Sequence, residues 1–203
     1  MIFQKNIELD WQAFVKSFTF FLICAIFLIT DVSYADSSRK KAETPLYDNG
    51  NIYLLRHALA PGTGDPDNFD VNDCETQRNL SNAGRGQAIR IGKKLRDNLK
   101  IRPQVLSSQW CRCKETAKIL ALGHVTELPI LNSFFESFHL KDEQTTQLKD
   151  WLLQLNNKTP VVLVTHQVNI TALTEIYPSS GEIVVIRVTG LGEIQIVGRI
   201  PTD

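Results

Sequence analysis

Net charge is the first thing this sequence lacks. Its 203 residues carry 22 basic and 22 acidic side chains. A general nucleic-acid binder would show a basic excess or stripe, so that class is disfavoured. Cysteine is also scarce, at four residues. That is too few for a scaffold built on disulfides. Low-complexity tracts and internal repeats are absent. Charged residues at 22% and apolar residues at 43% are ordinary globular values, which excludes wholesale disorder. The length suits one domain, or at most one domain with an appendage.

A membrane-length apolar run is missing too. The longest candidate is the uncharged stretch Ser17 to Thr30, 14 residues. As a helix it would rise about 21 Å. The hydrocarbon core is about 30 Å thick, so the stretch is short for a span. Lys5 and Lys16 precede it, and the small-x-small site Ser33-Tyr34-Ala35 follows. This order reads as a secretory signal peptide over residues 1–35, with an uncleaved anchor as the alternative. Its removal would take Lys5, Lys16, Glu8, Asp10 and Asp31, leaving 168 residues with 20 basic and 19 acidic side chains. Residues 36–48 read as a polar tail, and 49–203 as the working domain. The expected location is outside the cytoplasm, in the periplasm of a bacterium. A membrane would be a partner only if the segment stays uncleaved.

What the domain does contain is alternation. Ile52 to Leu55, Val105-Leu106 and Pro160 to Val164 read as strands. Ser81 is placed to cap a helix over Asn82 to Leu99. Further helices are expected over Cys113 to Leu122, Asp142 to Leu155 and Asn169 to Ile176. Ile183 to Val188 and Glu193 to Val197 read as a hairpin. The pattern predicts a layered α/β/α sandwich with a mostly parallel sheet and an antiparallel hairpin at its C-terminal edge.

Ligands of open α/β sheets sit beyond the carboxyl ends of the strands. At those ends stand Arg56-His57, then Ser107-Ser108 followed by Arg112, then Thr165-His166. Arginine offers a planar fork for phosphate. Two imidazoles beside it supply a nucleophile and a second donor. The set predicts a pocket for one dianionic phosphoryl group.

Four blocks in order resemble the histidine phosphatase superfamily, which includes the phosphoglycerate-mutase-like enzymes. They are Arg56-His57-Ala58, Leu80-Ser81-Asn82-Ala83-Gly84 with Gln87-Ala88, Ser107-Ser108 through Arg112 to Thr116-Ala117, and Val164-Thr165-His166. Cys74 to Leu80 and Thr165 to Ile170 are similar to a bacterial, exported branch. The resemblance implies a phosphomonoester hydrolase with no metal or other cofactor. His57 would form a phosphohistidine, and Arg56, Arg112 and His166 would clamp the phosphoryl oxygens. Glu136 is the candidate proton donor. Arg78 is a candidate substrate contact, or else a structural ion-pair partner. Ala58 stands where the family has glycine and is expected to narrow the pocket floor. Gln167-Val168 stands where small residues are usual.

Other features compete with this reading. A calcium site over Asp65, Asp67, Asp70 and Asp73 lacks the glycine and the closing glutamate of an EF-hand. A turn-rich loop, serving as substrate rim, is the better fit. His124 and His139 have no partner motif. With Cys24 in the signal segment, Cys74 is expected to bridge to Cys111 or Cys113 and leave one buried thiol. Zinc is the rival reading, although Cys-x-Cys is not the common zinc spacing. A non-catalytic anion binder with the same pocket also remains open. The substrate expected is a phosphorylated small molecule or envelope component, with no nucleic acid.

Overall fold

The computed structural model describes residues 45–155 and 158–201. The expected signal peptide lies outside these residues, as does most of the polar tail. The described end of the tail is tied to the domain. Asn51 Nδ2 donates to the carbonyls of Pro45 and Leu46 at 2.8 and 3.1 Å. Leu46 and Tyr47 also pack against the core.

Among the described residues six strands form one sheet. They are β1 (Ile52–Arg56), β2 (Gln104–Ser107), β3 (Val125–Glu127), β4 (Val161–Thr165), β5 (Ile183–Val188) and β6 (Ile194–Ile200). Their order is β3-β2-β4-β1-β5-β6. The first four run parallel, and β5 and β6 are antiparallel. The expected closing hairpin is therefore present. Among the described residues the four α-helices are α1 (Asn82–Asn98), α2 (Cys111–Ile119), α3 (Lys141–Leu153) and α4 (Gln167–Thr174).

Alternation along the buried strands divides the core into two layers, because successive side chains leave opposite faces. Tyr53, Leu55, Val162 and Val164 meet Ile91 and Leu95 of α1 and Ala117 of α2. Ile52, Leu54, Val161 and Leu163 meet Leu148 and Leu152 of α3 and Ile170 of α4. Each such aliphatic side chain contributes about 1.5–3 kcal/mol when fully buried. Helices on both faces of a mostly parallel sheet make the expected sandwich.

Several boundaries differ from expectation. Helix α2 begins at Cys111 rather than Cys113, so Arg112 lies inside its first turn. Its N-cap is Trp110, which makes no side-chain cap, so the usual start signal is missing. Helix α4 begins at Gln167, not Asn169, and ends before Glu175 at φ 61°. Asn169 looks like a cap but is buried, donating to the Asn132 carbonyl at 3.0 Å. Strand β6 runs on to Ile200. Strand β3 was not expected, being a three-residue edge segment with little apolar content.

Helix α1 is fixed at its start by two devices. Ser81 Oγ accepts from Gly84 N at 3.1 Å, the predicted cap. Gly84 itself sits against the backbone that follows β1. A Cβ there would lie 2.1 Å from the Leu59 carbonyl oxygen. Gly84→Ala must therefore push α1 off the segment behind His57. We expect it to cost about 1–3 kcal/mol, which thermal melts would register as a fall of several degrees. An unchanged melting temperature would contradict this contact.

Candidate active site

The carboxyl ends of β1, β2 and β4 meet at one point. The ladder continues past the ends of β1 and β2 against β4. His57 N donates to Thr165 O at 3.0 Å, and Ser108 N donates to Val164 O at 2.9 Å. These bonds bring together the residues expected from sequence. Arg56, His57, Arg78, Arg112, Glu136 and His166 all line one cavity of about 400 Å³.

His57 is 2% exposed. Its Nδ1 lies 2.8 Å from the carbonyl of Ala58. A carbonyl can only accept, so Nδ1 carries the hydrogen and Nε2 keeps a lone pair. Burial, and then the neighbouring Arg112, hold the imidazole pKa down to about 3. The ring is thus neutral at physiological pH. Its tautomer is the one a nucleophile needs. Ala58 N donates to Thr116 Oγ1 at 3.0 Å, which accounts for the threonine of the third sequence block. The Ala58 methyl does not narrow the pocket floor. It is fully buried and packs with Ala60, Leu80 and Ala88.

His166 lies beside it, with ring centroids 5.6 Å apart. Its Nε2 is engaged behind the pocket, 2.9 Å from Ser108 Oγ and 3.5 Å from Cys113 Sγ. Nδ1 is therefore the nitrogen left for an anion. Burial, followed by Arg112, pushes its pKa well below the usual histidine range.

The guanidinium groups are held by one edge. Arg56 Nη1 donates to Pro178 O at 2.9 Å. Arg112 gives its end fork to Asp65, Nη1 to Oδ1 at 2.7 Å and Nη2 to Oδ2 at 3.1 Å. Among the described residues, Nε of both arginines is buried without a hydrogen-bond partner. Such groups are costly unless something accepts from them. Arg78 donates from Nε to Gly64 O at 2.8 Å and from Nη1 to Ala60 O, shaping the loop while also facing the cavity. Burial, and then Arg112, lower the pKa of Arg56 and of Arg78, as expected where cations crowd.

Asp65 lines the cavity, as a rim loop would, but its pairing with Arg112 was not legible in the sequence. Beyond the Arg112 fork, its carboxylate accepts from Arg78 N at 3.0 Å and from Trp110 Nε1 at 3.0 Å. Its side chain is 7% exposed. Burial raises its pKa, but the hydrogen bonds from Arg112, Arg78 and Trp110 outweigh this and hold it low. Asp65 N in turn donates to Glu136 Oε1 at 3.0 Å, which draws the exposed Glu136 to the rim. Trp110 and Phe69 were also missed. Their rings stack at 4.9 Å, and Trp110 meets His166 edge-on at 5.4 Å.

Asp70 and Asp73 do not converge with Asp65. Asp70 Oδ1 accepts from Asn72 N, and Asp73 Oδ1 from Glu75 N, as turn and cap. One disulfide is present, and of the two partners left open for Cys74 it takes Cys111, while Cys113 is a free, buried thiol. Burial pushes that thiol pKa up to about 12. The disulfide ties the segment after the Asp-rich loop to the start of α2, next to Arg112. His124 and His139 are exposed and away from the cavity.

Residues 52–147 match the family described as Histidine phosphatase superfamily (branch 1). The chain belongs to the histidine phosphatase superfamily. In this superfamily member the matched span holds Arg56, His57, Arg78, Arg112 and Glu136, while His166 lies beyond it. No curated protein matches the chain in sequence. Several solved structures are similar in fold. The protein histidine phosphatase SixA, complexed with tungstate, is 15% identical at a TM-score of 0.57, covering 74% of this chain and 96% of that one. The Rv3214 protein of Mycobacterium tuberculosis is 19% identical at 0.54, covering 73% and 96%. A mycobacterial glucosyl-3-phosphoglycerate phosphatase, Rv2419c, complexed with VO3, is 16% identical at 0.50, covering 67% and 92%. Among the described residues no helix is long and apolar enough to cross a membrane.

Proposed function

We propose that this chain is a phosphomonoester hydrolase that works through a phosphohistidine on His57. Superfamily membership supports phosphatase activity as such. One observation carries the finer reading. Two buried arginine Nε–H groups, on Arg56 and Arg112, stand without acceptors around a neutral imidazole whose free nitrogen is Nε2. A phosphoryl group is an acceptor of the right charge for them.

The steps follow from the chemistry of these groups. Nε2 of His57 attacks phosphorus and the ester oxygen departs. Glu136 gives that oxygen its proton and then takes one from the water that attacks the phosphohistidine. Inorganic phosphate is released and His57 returns to its starting state. Arg56, Arg112 and Nδ1 of His166 donate to the non-bridging oxygens, where charge builds in the transition state. For His166 this requires the Ser108 hydroxyl to donate to Nε2, leaving the ring hydrogen on Nδ1. Arg78 adds a third cation at the cavity wall. Three guanidiniums supply enough positive charge for the reaction to need no metal ion.

The substrate class is a phosphorylated small molecule or envelope component. Export after cleavage of residues 1–35 is part of this reading, and the Cys74–Cys111 disulfide is compatible with it. The test is p-nitrophenyl phosphate hydrolysis by the purified chain, with and without EDTA. Turnover that resists EDTA and is blocked by vanadate is expected. Vanadate or phosphate binding without turnover on any phosphoester would assign the pocket to an anion-binding protein instead.

A further inference from the structure

A second cavity, of about 360 Å³, begins where the first one ends. Gln167 and Val168, at the start of α4, line both. From there the groove follows one face of α4, whose residues 168 and 172 are a helical turn apart and so stand in line. Its other wall is the segment from Phe134 to Lys141, with Tyr177 beyond the helix end. The lining is mostly apolar and partly aromatic. Phe134 is buried and meets Phe138 edge-on at 6.1 Å. Phe138 and Tyr177 are 62% and 74% exposed. Lys141 Nζ sits 5.7 Å from the Phe138 ring centroid. Single exposed apolar side chains need no explanation, but two aromatic rings facing one groove beside a reactive pocket do.

Gln167 and Val168 stand at the boundary that the two cavities share. Gln167 Nε2 donates to Thr171 Oγ1 at 2.8 Å. This bond lays the side chain back along α4. The groove therefore adjoins the pocket that holds His57. Its volume suits one organic body and is small for a peptide helix.

We propose that this groove is the leaving-group site, and that it selects phosphomonoesters whose alcohol carries a flat, apolar ring. The proposal rests on the phosphatase reading above. The ring would lie against Phe138 and Tyr177, and the phosphoryl group at His57.

Aryl phosphates would mislead as probes, because their leaving groups are intrinsically better. Ethyl phosphate and 2-phenylethyl phosphate avoid this, since both release simple alkoxides. On the wild-type chain, kcat/KM should favour 2-phenylethyl phosphate by about tenfold to thirtyfold, the value of burying one phenyl ring. Phe138→Ala and Tyr177→Ala should each reduce that ratio to about threefold or less. Both side chains are exposed, so neither change opens the core. A ratio near one, with both esters turned over, would overturn the groove proposal and leave the phosphatase reading standing. The same ratio with sedimentation on phosphatidylglycerol vesicles that Phe138→Ala abolishes would reassign the patch to a membrane surface. Hydrolysis of neither ester, nor of p-nitrophenyl phosphate, would overturn both readings.

Discussion

His57→Ala is expected to lower phosphomonoester turnover by about four orders of magnitude or more, the usual scale for loss of a nucleophile. Vanadate binding should survive it within about tenfold, because Arg56, Arg112 and His166 remain. Equal loss of both would mean that the variant had disturbed the fold instead of the chemistry. The same variant has a pH signature. In the folded chain the His57 pKa is about 3, and in the unfolded chain it returns to the ordinary histidine value. Between these values the unfolded state binds more protons. Wild-type stability is then full above pH 6.5 and falls as the pH drops towards 3. Between pH 7 and 5 the His57 share of that loss is about 2 kcal/mol. His166 adds to it in the same direction. Urea melts of His57→Ala in phosphate-free buffer should lack the His57 share. Wild type and variant losing the same stability over that interval would contradict the buried, neutral imidazole.

The reach of the sequence was set by where each interaction is local. Arg56, His57, Ser108 and His166 follow directly on apolar strands, so their convergence could be inferred from strand ends alone. The core was legible for the same reason, since the apolar run Val161 to Val164 reads as a strand and is buried throughout. Asp65 was illegible because its partners Arg112 and Trp110 lie 47 and 45 positions away. Its neighbours, Gly64, Pro66, Asp67 and Asn68, are turn formers that mask it. The two Cys74 pairings also looked alike in sequence. The α2 helix resolves them by burying Cys113 against the sheet, its thiol towards Thr165 O, on the side opposite the loop.

Asp65→Ala should separate catalysis from anion binding. In the native site the carboxylate occupies the end fork of Arg112, so only the Nε and remaining Nη2 hydrogens can face a phosphoryl group. That arrangement fixes the guanidinium plane relative to His57. It also sets one negative charge among three arginines. Without Asp65, the Arg112 side chain loses its partner while 3% exposed. Breaking a buried pair costs about 3–5 kcal/mol, so a lower melting temperature is expected. Glu136 is affected less, because its tie runs through the Asp65 backbone, which alanine retains. The freed guanidinium can turn its end fork onto the anion, and the nearest competing carboxylate is gone. We therefore expect kcat to fall by about a hundredfold. Inhibition by inorganic phosphate should tighten, and added phosphate should restore more stability to the variant than to wild type. Asp65→Asn should lie between, since an amide can accept one bond from Arg112 but its NH2 group faces the other. If phosphate inhibition weakens in step with kcat, Asp65 only keeps the loop folded and does not aim Arg112.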